Sequence, residues 1–252
     1  MSAVSSFAIP PDAVRVWRGF RASSMELADF FSRLNTVFVP ATVELQINAG
    51  LDGYIPAVPA GLAGKPDGVP DDTAILFWDS QQTYHDGFNT LAVRTYTLTH
   101  GGVYAPNISR ADFPLFFAGT LAADQPYYLV PKAADWMKGT VRHLIAGRPT
   151  GVTPAQFRAQ LGTALAGIQA HAGLAGAIAC AGDEYLVYWE LLGDSSGSGD
   201  DTIETLAHLT AWNYGVTALL TSLDIGLWDS WPGMQIVSGD SLNVQFRRRW
   251  ER

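Results

Sequence analysis

Four short phrases of this chain occur twice, in the same order, and this echo limits the fold more than any other feature. Arg21-Ala22-Ser23 returns loosely as Arg148-Pro149-Thr150, and Ala49-Gly50-Leu51-Asp52-Gly53-Tyr54-Ile55 as Ala172-Gly173-Leu174-Ala175-Gly176-Ala177-Ile178. Phe77-Trp78-Asp79 is echoed by Tyr188-Trp189-Glu190, and Thr90-Leu91-Ala92 by Thr205-Leu206-Ala207. A spacing of roughly 110–130 residues points to two like domains rather than to a solenoid array.

The 252 residues suit two domains of roughly 120 residues each. Apolar residues make up 48% and charged residues 16%, with eight tryptophans, enough for two cores and a lined cavity. The net charge of −8 excludes a nucleic-acid partner, which needs a basic stripe. The one basic run, Arg247-Arg248-Arg249 with Arg252, reads as a face of a last strand and a tail. Cys180 is the sole cysteine, so no intrachain disulfide or thiolate metal cluster can form, and its apolar strand makes it a buried, inert thiol. Met1 to Val14 lacks the basic start and apolar run of a signal peptide, and no apolar stretch is long enough to span a bilayer. A cytoplasmic protein without a membrane partner is expected.

Strand-like patterning over 14–20 places Val14, Val16, Arg18 and Phe20 on one face. A helix follows through Leu27, Phe30, Phe31, Leu34 and Phe38, split by Pro40 and stopped by Gly50. Strands at 54–58 and 73–78 flank a Pro/Gly/Asp-rich loop, and 81–99 reads as a second helix. A fourth strand is expected within 113–118 or 127–130. In the second half the pattern predicts a strand at 140–146, a Thr153-Pro154-initiated helix to about 171, strands at 174–181 and 185–191, a helix opened by Asp200-Asp201 and running to about 223, and a strand at 242–246. Each half is thus βαββαβ, which predicts an α+β protein of two tandem ferredoxin-like domains, 1–132 and 133–252, each covering the other's apolar sheet face.

The step from helix into Ala-Gly-Leu-x-Gly-x-Ile resembles the dimeric α/β-barrel superfamily, with its antibiotic-biosynthesis monooxygenase-like, EthD-like and chlorite-dismutase-like members. The resemblance implies an intramolecular dimeric α/β barrel with ligand cavities between sheet and helices. It also implies a small apolar, aromatic or polyketide-like ligand. The superfamily's chemistry ranges over cofactor-free monooxygenases, isomerases, cyclases and haem enzymes, and the fold does not choose among them.

Phosphate-binding, zinc, nucleophile-elbow and calcium motifs are absent from the sequence. Candidate acid–base groups are Asp79 and Glu190, each read as ending the third strand of its half, and Tyr84 and His85 at the start of the second helix. His143, mid-strand, is the fifth, with Tyr188 beside Glu190. The competing reading makes Asp79 and Glu190 turn acids, His85 a surface residue and His143 a hydrogen-bonded core residue. His100 reads as a helix C-terminal residue favoured by the dipole. By the chlorite-dismutase resemblance, His171 is a haem ligand, while His208 packs within a helix. The leading expectation is acid–base or oxygen chemistry without a bound cofactor. Haem binding and a non-catalytic assembly module are the alternatives, and the state of oligomerisation is open.

Overall fold

A computed structural model describes residues 8–46, 49–57, 64–136, 139–171, 173–193, 202–220 and 246–247. The protein is α+β, with two mixed-origin sheets and six helices among the described residues. In chain order the elements are β1 (Val14–Gly19), α1 (Leu27–Arg33), α2 (Val39–Gln46), β2 (Leu51–Ala57), β3 (Asp72–Trp78), α3 (Gln81–Gly87), α4 (Leu91–His100), β4 (Arg110–Asp112), β5 (Leu115–Phe116) and β6 (Pro126–Tyr128). The second half supplies β7 (Gly139–Gly147), α5 (Pro154–Gln169), β8 (Leu174–Ala181), β9 (Tyr185–Leu192), α6 (Thr202–Ala207), β10 (Trp212–Leu220) and β11 (Phe246–Arg247).

Strand order is β11-β2-β3-β1-β4 in one sheet and β10-β7-β9-β8-β6-β5 in the other. Within each half the first strand lies between the fourth and the third, with the second strand outside the third. Both halves also break register at one place: β2 bulges between Leu51 and Gly53, and β8 between Leu174 and Gly176. The Gly-Leu-x-Gly-x-Ile echo therefore falls on like strands at like bulges. Each sheet is extended by strand from the other stretch of chain. β6 pairs with β8, and β11 with β2.

Alternation along the strands sorts side chains onto two faces. Val14, Val16, Ile55, Ile75 and Phe77 of one sheet meet Val141, Ile145, Ile178, Val187 and Trp189 of the other in a shared core. On the outer faces, Phe30, Leu34, Phe38, Val93 and Tyr96 cover the first sheet, and Phe157, Leu161, Leu165 and Leu206 the second. β2, β3 and β9 are buried on both faces, with apolar runs such as Ala74–Trp78 and Tyr185–Trp189 supplying both sides.

The arginines of the first echo do the same work twice. Arg21 and Arg148 each leave the end of a first strand and donate to the carbonyl four residues on, Met25 and Val152 respectively. Each tucks the turn against the helix that follows. Pro40 has no N–H for the carbonyl of Thr36, and the chain rewinds through a π-helical turn at Leu34–Phe38 before α2.

Three sequence expectations need correction. With the bulges aligned, Gly53 faces Phe77 and Gly176 faces Leu191, so Phe77-Trp78-Asp79 matches Leu191-Leu192-Gly193 and not Tyr188-Trp189-Glu190. Trp78 accordingly packs under the helices, whereas Trp189 packs between the sheets. The fourth strand of the first half is Arg110–Asp112; residues 115–116 and 126–128 belong to the other sheet. The helix expected to run to 223 stops at Ala207, and Trp212–Leu220 is a nine-residue strand on β7. The expected strand at 242–246 lies outside the described residues except for Phe246.

Candidate functional site

β1 alternates, so Val14 and Val16 enter the shared core while Arg15 and Trp17 face the helices. Their face, together with α2, α3 and α4, encloses a cavity of about 480 Å³. Its walls include Arg15, Trp17, Tyr54, Leu76, Tyr84, Tyr96, His100 and Tyr104, and Phe88 and Leu98 stand partly exposed on its helical side. An apolar, aromatic cavity of this size with a few convergent polar groups is the usual form of a small-molecule site.

His100 closes α4 and sits in an aromatic cage, its ring 4.8 Å from those of Phe38 and Tyr96 and 5.2 Å from Trp17. Its Nδ1 lies 3.3 Å and 3.2 Å from the carbonyls of Tyr96 and Thr97. A carbonyl only accepts, so Nδ1 carries the proton and Nε2 keeps its lone pair. Burial lowers the pKa of His100, with the two carbonyls opposing, so the ring is neutral at physiological pH.

Behind the Trp17–Tyr104 wall lies the buried Asp72, whose Oδ2 accepts the Tyr104 hydroxyl at 3.0 Å. Burial raises its pKa to about 7, against the pull of that hydrogen bond. Neither its Oδ1 nor the Trp17 Nε1 makes a well-aligned hydrogen bond, although the indole also pulls the Asp72 pKa down. Gly19 makes room for this group. A Cβ there would lie 1.8 Å from Asp72 Oδ1 and 2.6 Å from the Tyr104 ring.

Arg15 reaches into the same space. Its guanidinium lies 3.9 Å over the Tyr84 ring and donates to the Ala111 carbonyl at 2.5 Å, while Nε is buried without a partner.

Of the five residues nominated from the sequence, Tyr84 lines this cavity. Asp79 follows β3 and is exposed, and His85 is exposed on the outer side of α3, edge-on to Tyr84. His143 points between the sheets, where Nε2 meets Thr73 Oγ1 at 2.9 Å and its ring packs 4.2 Å from Trp189. Glu190 does not end its strand. It is fully buried within β9 on the opposite face from His143, bound by Arg142, by Tyr188 at 2.6 Å and by Thr202 at 2.5 Å. The five therefore do not converge. Arg15, Trp17, Asp72, His100 and Tyr104 were missed, although the period-2 alternation of β1 already separates Arg15 and Trp17 from the core-facing set.

His171 follows α5 in the other half and is not on the cavity wall. Its Nδ1 accepts the Gly173 N–H at 3.3 Å. His208 is exposed just beyond α6. Among the described residues no group of three or more His, Cys, Asp or Glu could hold a metal ion, and no helix is long and apolar enough to cross a membrane.

No protein-family model matches the chain, and no curated protein matches it. Among solved structures it is similar to a "Putative monooxygenase" from Fusobacterium nucleatum, at 11% identity and a TM-score of 0.39, covering 85% of this chain and 93% of that one. A "putative monooxygenase" from Lactobacillus acidophilus is similar at 9% identity and a TM-score of 0.33, covering 81% and 91%. An anthrone oxidase-like protein is similar at 11% identity and a TM-score of 0.33, covering 82% and 90%. Likeness at this level does not reach the chemistry, which has to be read from the cavity itself.

Proposed function

We propose that the chain is a small-molecule enzyme that takes an apolar, aromatic substrate into the cavity between the first sheet and its helices and removes a proton from it. The observation that carries this reading is His100, a neutral imidazole with Nδ1–H fixed on two backbone carbonyls, standing in an aromatic wall. A base in that state accepts a proton at Nε2 from a phenol or an activated C–H, and the electron pair moves onto the substrate oxygen. Asp72, poised near neutrality, can exchange a proton with the Tyr104 hydroxyl, so that Tyr104 can turn its own proton toward the developing oxyanion. Tyr84 offers a second phenol on the same wall.

Two outcomes are open to the anion. Returning the proton at another carbon completes an isomerisation. Reaction with dioxygen as co-substrate at a deprotonated CH₂ gives a ketone, with the second oxygen atom leaving as water. Neither needs a bound cofactor.

The matched strand orders and bulges support the wider reading as well: two tandem ferredoxin-like units, 1–132 and 133–252, closed into one barrel of the dimeric α/β type, with the first unit keeping the site.

The test is deuterium exchange from D₂O into hydroxynaphthalenes and aromatic ketones, with an oxygen electrode alongside. Exchange or oxygen uptake above the buffer rate is expected with the wild type. His100→Gln should lower it about 10²–10⁴-fold, the usual contribution of a positioned base. A wild-type protein that neither binds nor turns over any of these compounds would refute the proposal.

A further inference from the structure

The two sheets pose the same cross-strand pair and answer it differently. Arg15 of β1 lies opposite Leu76 of β3, and Arg142 of β7 lies opposite Glu190 of β9. Aligned on the bulges, Tyr54 faces Leu76 where Ala177 faces Glu190, so the four residues occupy matching sites. Both arginines rise from the outer face of their sheet toward the helices. In the second half the cation is closed by the buried Glu190 carboxylate, which also accepts from Tyr188 and Thr202.

In the first half the carboxylate is missing and the space is open. Arg15 has no carboxylate oxygen within 4.0 Å among the described residues. Its Nε lacks a partner, its guanidinium lies against Tyr84, and Leu76 leaves an apolar floor to the cavity beside it. Asp112 acts on Arg15 only from beyond ion-pair distance, its Oδ2 being taken by Arg18 at 2.6 Å. Arginine keeps its charge, and a buried cation without a carboxylate in contact is costly unless something supplies one.

We infer that the ligand of this cavity is an aromatic carboxylate, its carboxyl group held by Arg15 in the place that Glu190 fills for Arg142. This rests on the cavity being the substrate site. Within that reading it fixes the orientation, with the ring system among Trp17, Tyr96 and His100 and the acid on the β1–β3 side. A guanidinium binds a planar carboxylate with paired hydrogen bonds, and the amide isostere cannot replace that charge.

The probes are 1-hydroxy-2-naphthoate and 1-hydroxy-2-naphthamide, titrated calorimetrically into the wild-type protein. The acid should bind about tenfold or more tightly than the amide, the effect of one desolvated charge-assisted contact. Arg15→Gln should erase that preference. Leu76→Glu installs the second half's own acid and should exclude the naphthoate selectively. If Leu76→Glu does not fold, as judged by far-UV circular dichroism, Arg15→Gln and Arg15→Lys decide alone, with Lys retaining part of the preference. Equal wild-type affinity for acid and amide overturns the carboxylate inference but leaves the cavity as a site. Binding of neither overturns both.

Discussion

At the scale of single residues, the cavity is kept polar by burial rather than by abundance. Asp72 is the clearest case, because its folded pKa of about 7 stands well above the ordinary carboxyl value. The folded state therefore binds the proton more tightly than the unfolded chain. Asp72 contributes to stability below pH 4, and that contribution is lost as pH rises through 7. In urea unfolding the wild type should lose a few kcal/mol relative to Asp72→Asn as pH rises from 4 to 7, with the difference constant above that. Gly19 is the second residue on which the site hangs. Gly19→Ala forces Asp72 Oδ1, Tyr104 or Trp17 aside. It should cost about 1–3 kcal/mol in denaturant unfolding and shift the intrinsic fluorescence of Trp17.

At the scale of elements, an informative pair is the side-chain link across the shared core from His143 to Thr73. By register, the matching pair from the other direction is Val16 and Val187, both apolar core residues. Burial drives the His143 pKa down to about 3, so the folded state holds the ring neutral while the unfolded chain protonates it below about 6.5. Stability is lost as pH falls from 6.5 towards 3. Replacing both partners, His143→Val with Thr73→Val, copies the apolar pair. It should preserve the fold and move the acid-unfolding midpoint to lower pH, read by circular dichroism, whereas His143→Val alone leaves the Thr73 hydroxyl buried without its histidine.

These elements also show what was legible beforehand. Amphipathic α5, with Thr153 and Pro154 at its start, and the repeated bulge strands were readable because cap, period and glycine all agree there. The end of the second half was not. Ile203 to Leu223 can be read at helical spacing, but Trp212, Asn213 and Tyr214 belong to a strand whose pairing with β7 is a long-range fact. The Phe-Trp-Asp and Tyr-Trp-Glu echo misled for a related reason. Similar words three residues out of register land on opposite sheet faces, which is why Glu190 was placed at a strand end. His100 is legible in the sequence only as a helix C-terminal residue because nothing local says that the end of α4 meets β1, while Tyr84 is found because it shares a stripe with a visible helix.

At the scale of the molecule, the shared core means that neither stretch can bury its inner sheet face alone. Residues 1–132 and 133–252 produced separately should each show exposed apolar surface by dye binding and poor solubility. Produced together they should associate and regain a cooperative thermal transition. Two separately stable, non-associating fragments would count against the barrel.

The exchanged edge strands carry a further implication for synthesis. Among the described residues, β2 of the first sheet gains its outer neighbour from Phe246–Arg247, almost two hundred positions downstream. During translation, that border stays bare while the whole second half is being made, offering its backbone to any passing extended peptide. A chain wired this way gains from slow initiation or from a holding chaperone, and crowded, rapid overexpression should drive it into inclusion bodies.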